Sequence, residues 1–218
     1  MKIHYYLGWF NNFLPESLGM LLQEDMTDRK SLAMISSNPS IYEDNGTTER
    51  SWLDQVGIMF DEYHLINYQV QKEDAQSKIQ NASVIFLLGG DTINQNSFLK
   101  EYELVDFIKK SNAIVMGASA GAINMSAKWL CSKNLGYEVE MNSVYDGIGL
   151  DNFSVLSHFD LENNIARVQN ELSLLSEEIN IYASNKDCAL RVKGDKIDVF
   201  GNVFLISHSK IQKLNETF

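Results

Sequence analysis

Ala113-Ile114-Val115-Met116-Gly117-Ala118-Ser119-Ala120-Gly121-Ala122 is the stretch whose reading decides the fold. An apolar run passes into a serine flanked by very small residues, which reads as strand, tight turn and helix. In a G-x-S-x-G nucleophile elbow the serine is held in a strained turn, so the positions two before and two after it must be nearly free of side chain. Gly117 and Gly121 fill those positions, and Ala118, Ala120 and Ala122 keep the rest of the turn slim. An ordinary strand-to-helix turn of an α/β protein can carry the same letters, so the surrounding sequence has to discriminate.

Outward from that stretch the chain alternates apolar runs with helical spacing. Lys2 to Leu7 reads as a strand, followed by a helix with Leu18, Leu21 and Leu22 on one face. Ser31 to Ser36 is a second strand, closed by the turn Ser36-Ser37-Asn38-Pro39-Ser40. Trp52, Leu53, Val56, Met59 and Phe60 recur at helical spacing with Thr48 as a cap. His64 to Tyr68 returns to strand character, and Glu73 to Gln80 is a short helix. Val84 to Leu88 is a strand ending at Gly89-Gly90-Asp91-Thr92, and Thr92 to Lys110 supplies one or two helices before the serine stretch. The alternation predicts an α/β fold with a mainly parallel sheet and helices on both faces. Such sheets carry their ligands at the carboxyl ends of the strands, where both Gly89-Gly90 and Ser119 are expected.

Beyond the serine, Ala120 to Leu130 is expected to be helical and Lys133 to Asp151 to form loops near the rim. Val155 to Phe159 reads as a short strand ending in His158, and Asp160 as the cap of a helix carrying Ile165, Val168, Leu172 and Leu175. In the tail, Ile179 to Ala183, Ala189 to Val192, Lys196 to Phe200 and Val203 to Ile206 read as a strand followed by an antiparallel meander at the sheet edge.

Composition bounds the rest. With 218 residues, 44% of them hydrophobic, and two prolines, the expectation is one domain spanning residues 1–218. A net charge of −11 disfavours nucleic acid and anionic membrane surfaces as partners, and also aids solubility. No apolar run reaches the roughly 20 residues of a membrane span, and Met1-Lys2-Ile3-His4 lacks the apolar region of a secretory signal, so a cytoplasmic location is expected. Cys131 and Cys188 read as ordinary thiols. No His or carboxylate pair has metal-ligand spacing, and neither metal nor cofactor is expected. Trp9, Phe10 and Phe13 are read as core first, and as a homodimer contact or part of a substrate cleft second.

A serine hydroxyl becomes a useful nucleophile when a positioned base takes its proton. His4, His64 and His208 fit packing or surface roles, whereas His158 stands at the carboxyl end of a strand on the rim expected for Ser119. Acyl transfer also requires N–H donors aimed at the developing oxyanion, and Gly90 and Ala120 are the candidates. Gly89-Gly90-Asp91-Thr92 could instead cradle phosphate, but it lacks the Lys-Ser/Thr of a P-loop and the third glycine of a dinucleotide fingerprint.

Three segments together resemble the peptidase E (aspartyl dipeptidase) and cyanophycinase family of serine peptidases, whose fold is like that of class I glutamine amidotransferases (flavodoxin-like). They are Leu88-Gly89-Gly90-Asp91-Thr92, the Gly117 to Ala122 turn, and Ser157-His158-Phe159. The resemblance implies hydrolysis of a small peptide or related amide through an acyl-enzyme on Ser119, with His158 as base and the Gly90 and Ala120 N–H groups as oxyanion hole. The family's third catalytic member is a glutamate in the tail. Aligning Ala189-Leu190-Arg191-Val192 puts Lys186 at its position, so Asp187 is the expected substitute and a Ser-His dyad the alternative. Arg167 is either the counterpart of a substrate-binding arginine or a polar-face residue of its helix. Strict Asp-X dipeptidase activity is not supported, because the chain lacks the family's insert after the histidine. The lack of further insertions argues against a polymer-degrading cyanophycinase. An esterase or amidase with the same machinery, a non-catalytic regulatory homologue and a nucleotide-binding doubly wound domain are the alternatives.

Overall fold

The computed structural model describes residues 2–11, 13–41, 46–160, 166 and 168–217. The predicted alternation is realised as β1 (Ile3–Leu7), α1 (Glu16–Asp25), β2 (Ser31–Ile35), α2 (Thr47–Gln55), β3 (Glu62–Ile66), α3 (Lys72–Asn81), β4 (Val84–Leu87), α4 (Thr92–Glu101), α5 (Leu104–Lys110), β5 (Ile114–Ala118) and α6 (Ala120–Met125). There follow β6 (Lys128–Cys131), β7 (Ser143–Asp146), β8 (Ser154–Leu156), α7 (Ser173–Glu178), β9 (Ile181–Ser184), β10 (Ala189–Lys193), β11 (Lys196–Phe200), β12 (Val203–Ser207) and β13 (Lys210–Lys213).

The main sheet has seven strands in the order β11-β10-β1-β5-β4-β2-β3. The five strands from β1 to β3 run parallel, and β10 and β11 extend the sheet antiparallel beyond β1. Side-chain alternation explains its two covered faces. Along β4, Val84 and Phe86 pack with Leu18 and Leu22 of α1 and Trp52 and Leu53 of α2. Ile85 and Leu87 face the other way, toward Ile79 of α3, Phe98 of α4 and Ile108 of α5. Among the described residues no helix is long and apolar enough to cross a membrane.

Several local expectations need correction. The helix after Ser119 stops at Met125, where Ser126 Oγ donates to Ile123 O at 2.6 Å and accepts from Val155 N at 3.2 Å. The chain then turns extended and pairs as β6 with β7, which places Trp129 against Tyr145 with ring centroids 4.6 Å apart. Tertiary pairing thus overrides a helix-compatible sequence. Helix α2 begins at Thr47 after a left-handed Gly46, so Thr48 is not its cap, and Met59 and Phe60 lie beyond its end. The tail is not one meander: β10 and β11 join the main sheet, while β9 and β12 pair with β8 and the unpredicted β13 in a separate four-stranded sheet. Phe10 is core and Trp9 packs against it, but Phe13 is exposed.

One buried ion network ties β10 and β11 to α1. Arg191 donates to both carboxylate oxygens of Asp25 at 2.7 and 2.8 Å and to Asp198 at 2.7 Å. Tyr5 and Lys193 also donate to Asp25, at 2.7 and 3.0 Å. Burial alone would raise the Asp25 pKa, but these donors hold it below the ordinary carboxylate range. A depressed folded-state pKa stabilises fully above the unfolded value of about 3.9, and that contribution is lost as pH falls through the folded value. Chemical denaturation should therefore show stability declining in acid below about pH 4. Arg191→Met, which leaves two buried carboxylates short of a partner, is expected to cost about 3–5 kcal/mol. Breaking the exposed Arg50–Asp54 pair should cost under about 0.5 kcal/mol.

Candidate active site

The turn after β5 is built as the small residues require. Ser119 has φ 47° and ψ −106°, a conformation that non-glycine residues seldom adopt. A Cβ added to Gly121 would lie 2.1 Å from Leu87 O, and one added to Gly117 would lie 2.5 Å from the Gly121 carbonyl carbon. The start of α6 therefore rests directly on the ends of β4 and β5. Ser119 N–H donates to Leu7 O at 2.9 Å, which fixes the turn to the carboxyl end of β1 as well.

The Gly89-Gly90 turn adjoins this elbow, since a Cβ on Gly89 would sit 3.4 Å from Ala118 O. Its other side is covered by Trp9, whose ring would be 2.8 Å from the same added atom. Gly90 has φ 131°, and a side chain there would meet Ser37 Oγ at 2.3 Å. Both glycines are therefore required by backbone conformation or close approach. Glu49, buried on α2, accepts the Gly89 N–H at 2.9 Å, and Ser37 Oγ donates to Gly89 O. Among the described residues, neither the Gly90 nor the Ala120 N–H meets an acceptor. Glu49 and Ser37 were not singled out from the sequence. A carboxylate inside a helix and a serine in a turn carry no local signal for a partner 40 or 52 residues away.

His158 follows β8 and has φ 59°, so it belongs to a tight turn and not to the strand end itself. Phe159 anchors that turn. Its N–H donates to Ser184 O at 2.8 Å, and its ring is buried among Leu156, Leu172 and Ile181. The structure brings His158 Nε2 to 3.1 Å from Ser119 Oγ. Loss of hydration around the ring, and then the positive charge of Lys186, push the His158 pKa below its ordinary value.

Asp187 does not join this pair. It is exposed in a left-handed turn at φ 50°, its N–H donates to Trp9 O at 3.2 Å, and no hydrogen bond or ion pair links it to His158. Lys186, bridged to Trp9, is the charged neighbour that acts on the imidazole. Among the described residues no carboxylate is bonded to His158, and no group of three or more His, Cys, Asp or Glu could hold a metal ion. Arg167 lies outside the described residues.

The sequence matches the profile of Peptidase family S51 over residues 33–200, a span that includes both glycine turns and His158. It is 26% identical over 140 residues to a cyanophycinase from Geminocystis herdmanii (strain PCC 6308), covering 61% of this chain and 52% of that protein. The chain thus spans about half the length of that curated relative. Its fold is similar to a peptidase from an acI-B1 Actinobacterium, with a TM-score of 0.68 and 17% identity over 100% of this chain and 96% of the other. It is also similar to a candidate peptidase E from Listeria monocytogenes EGD-e, with a TM-score of 0.64 and 17% identity over 91% and 98%. Those two likenesses concern the fold. The profile, which runs unbroken through most of the chain and through the serine and histidine that meet on the sheet rim, carries the assignment: this chain belongs to peptidase family S51, a family of serine-type hydrolases.

Proposed function

We propose that the protein hydrolyses short peptides or related amides through an acyl-enzyme on Ser119. The single observation that carries this reading is the 3.1 Å approach of Ser119 Oγ to His158 Nε2, on a serine held at positive φ. In the first half-reaction His158 Nε2 takes the hydroxyl proton as Oγ bonds to the carbonyl carbon, and the carbonyl oxygen becomes an oxyanion facing the Gly90 and Ala120 N–H groups. The imidazolium then gives that proton to the leaving nitrogen as the C–N bond breaks. In the second half-reaction water attacks the acyl-enzyme, His158 takes the water proton and returns it to Ser119. Nε2 must be unprotonated at the start, so the resting neutral ring carries its proton on Nδ1.

The charge that acts on the histidine sets this site apart from an acid-supported triad. A carboxylate would stabilise the imidazolium; Lys186 disfavours it. The working unit is then a Ser-His dyad, in which the lowered pKa of His158 widens the pH range over which the ring stays neutral and available as a base. Lys186 also motivates the second reading, a binding homologue that retains the fold without turnover.

A fluorophosphonate probe separates the two. Stoichiometric labelling of Ser119 is expected, with His158→Ala slowing it about a thousandfold. Asp187→Asn should fall far short of the roughly ten-thousandfold loss that amidating a true triad acid causes. A folded protein that takes no label would favour the binding homologue. The labelling rate should rise with pH as His158 loses its proton, with a midpoint below about 6.5. Lys186→Met removes a charge that lowers the pKa, so the midpoint should move upward, and Lys186→Glu should move it further. A midpoint that stays fixed across this series would remove Lys186 from the electrostatics of the site.

A further inference from the structure

Thr92-Ile93-Asn94-Gln95-Asn96 follows the glycine turn, and Asn124 lies on the helix that follows Ser119. These two elements are joined by side-chain amides. Asn124 and Gln95 are 0% exposed and Asn96 is 4% exposed. Asn124 Nδ2 donates to Thr92 O at 3.0 Å and to Gln95 Oε1 at 3.1 Å. Gln95 Nε2 donates in turn to Leu88 O at 3.0 Å and to Ile35 O at 3.2 Å. Asn96 Nδ2 closes the set, donating to Asn124 Oδ1 at 3.0 Å and to Asp146 O at 3.1 Å. The neighbouring main-chain carbonyls fix which end of each amide carries the hydrogens, and every amide hydrogen of Gln95 and Asn124 has an acceptor.

This arrangement acts on the residue just before the glycine turn. Leu88 N–H donates to Ile35 O at 3.0 Å and Leu88 O accepts from Gln95. Gly89 N–H is held by Glu49 and Gly89 O by Ser37. The next donor along the chain, the Gly90 N–H, is the one left without an acceptor among the described residues. The same amides grip α6 one turn beyond Ser119. The donor and the serine hydroxyl are thus linked through a satisfied polar network buried between α4 and α6, and a fully satisfied buried network rigidifies the elements it joins.

We propose that Gln95 and Asn124 are positioning residues that set the Gly90 N–H against Ser119 for oxyanion binding. The proposal rests on the reading of Ser119 as the nucleophile. Its test follows the reaction of the intact protein with a fluorophosphonate, resolved into the half-saturating probe concentration and the maximal phosphonylation rate. Gln95→Met and Asn124→Leu, which keep the side-chain length and remove donors, should each lower the maximal rate about a hundredfold, comparable to losing one oxyanion donor, with half-saturation unchanged within about twofold. Because the two act as one unit, the double variant should lose little more than either single variant. Leu104→Ala, a buried substitution on α5 matched for its drop in Tm, should leave the rate unchanged. If Gln95→Met does not fold, Gln95→Glu, which keeps the shape and the acceptor for Asn124, is measured in its place. A rate loss that merely tracks Tm, or single losses that multiply in the double variant, would overturn the proposal. Failure of the unmodified protein to label at Ser119 would overturn the hydrolase reading, and this inference with it.

Discussion

The 2.1 Å that separates Leu87 O from the place where a Gly121 side chain would begin is the constraint on which the rest of the site depends. It allows α6 to start directly against β4, which forces Ser119 into a positive φ and lifts it at the junction of β1, β4 and β5. The strain is held by bonds on either side: Ser119 N–H to Leu7 O, and Ile123 N–H to Ser119 O. Once α6 is so placed, Asn124 comes within reach of α4, and the glycine turn is fixed beside the serine. Backbone proximity comes first, and side-chain geometry follows from it.

Two regions of the protein contrast in their electrostatics. Around Arg191, buried opposite charges satisfy one another and join the tail to the first helix. At the histidine the balance is the reverse, with the charge of exposed Lys186 disfavouring the protonated form of the His158 ring.

The parallel core, its order of strands and helices, and the meeting of Ser119 with His158 were legible in the sequence because each leaves a local trace. Buried strands such as Val84–Leu87 are continuous apolar runs, and the elbow needs small residues at fixed offsets. What escaped depends on contacts between distant positions. Helix α6 breaks at Met125 because Ser126 finds Val155, and the tail strands divide between two sheets by partner choice rather than pattern. Gln95, Asn96 and Asn124 look like ordinary polar helix residues until the fold buries them together. Asp187 is adjacent to the expected position in sequence, but it sits exposed in a left-handed turn, and the charge that acts on the ring is that of Lys186.

Strand β1 lies between β5, made before residue 120, and β10, which is not complete until residue 193. Leu7 at its end holds Ser119, and Tyr5 in its middle shares Asp25 with Arg191. During synthesis β1 therefore emerges with one neighbour more than a hundred residues away and the other later still, and Asp25, within reach of Tyr5, meets its cationic partners only when β10 arrives. Vectorial folding on the ribosome can stack β2, β3 and β4 early, but completion of the sheet around β1 is a late event that waits for β10 and β11.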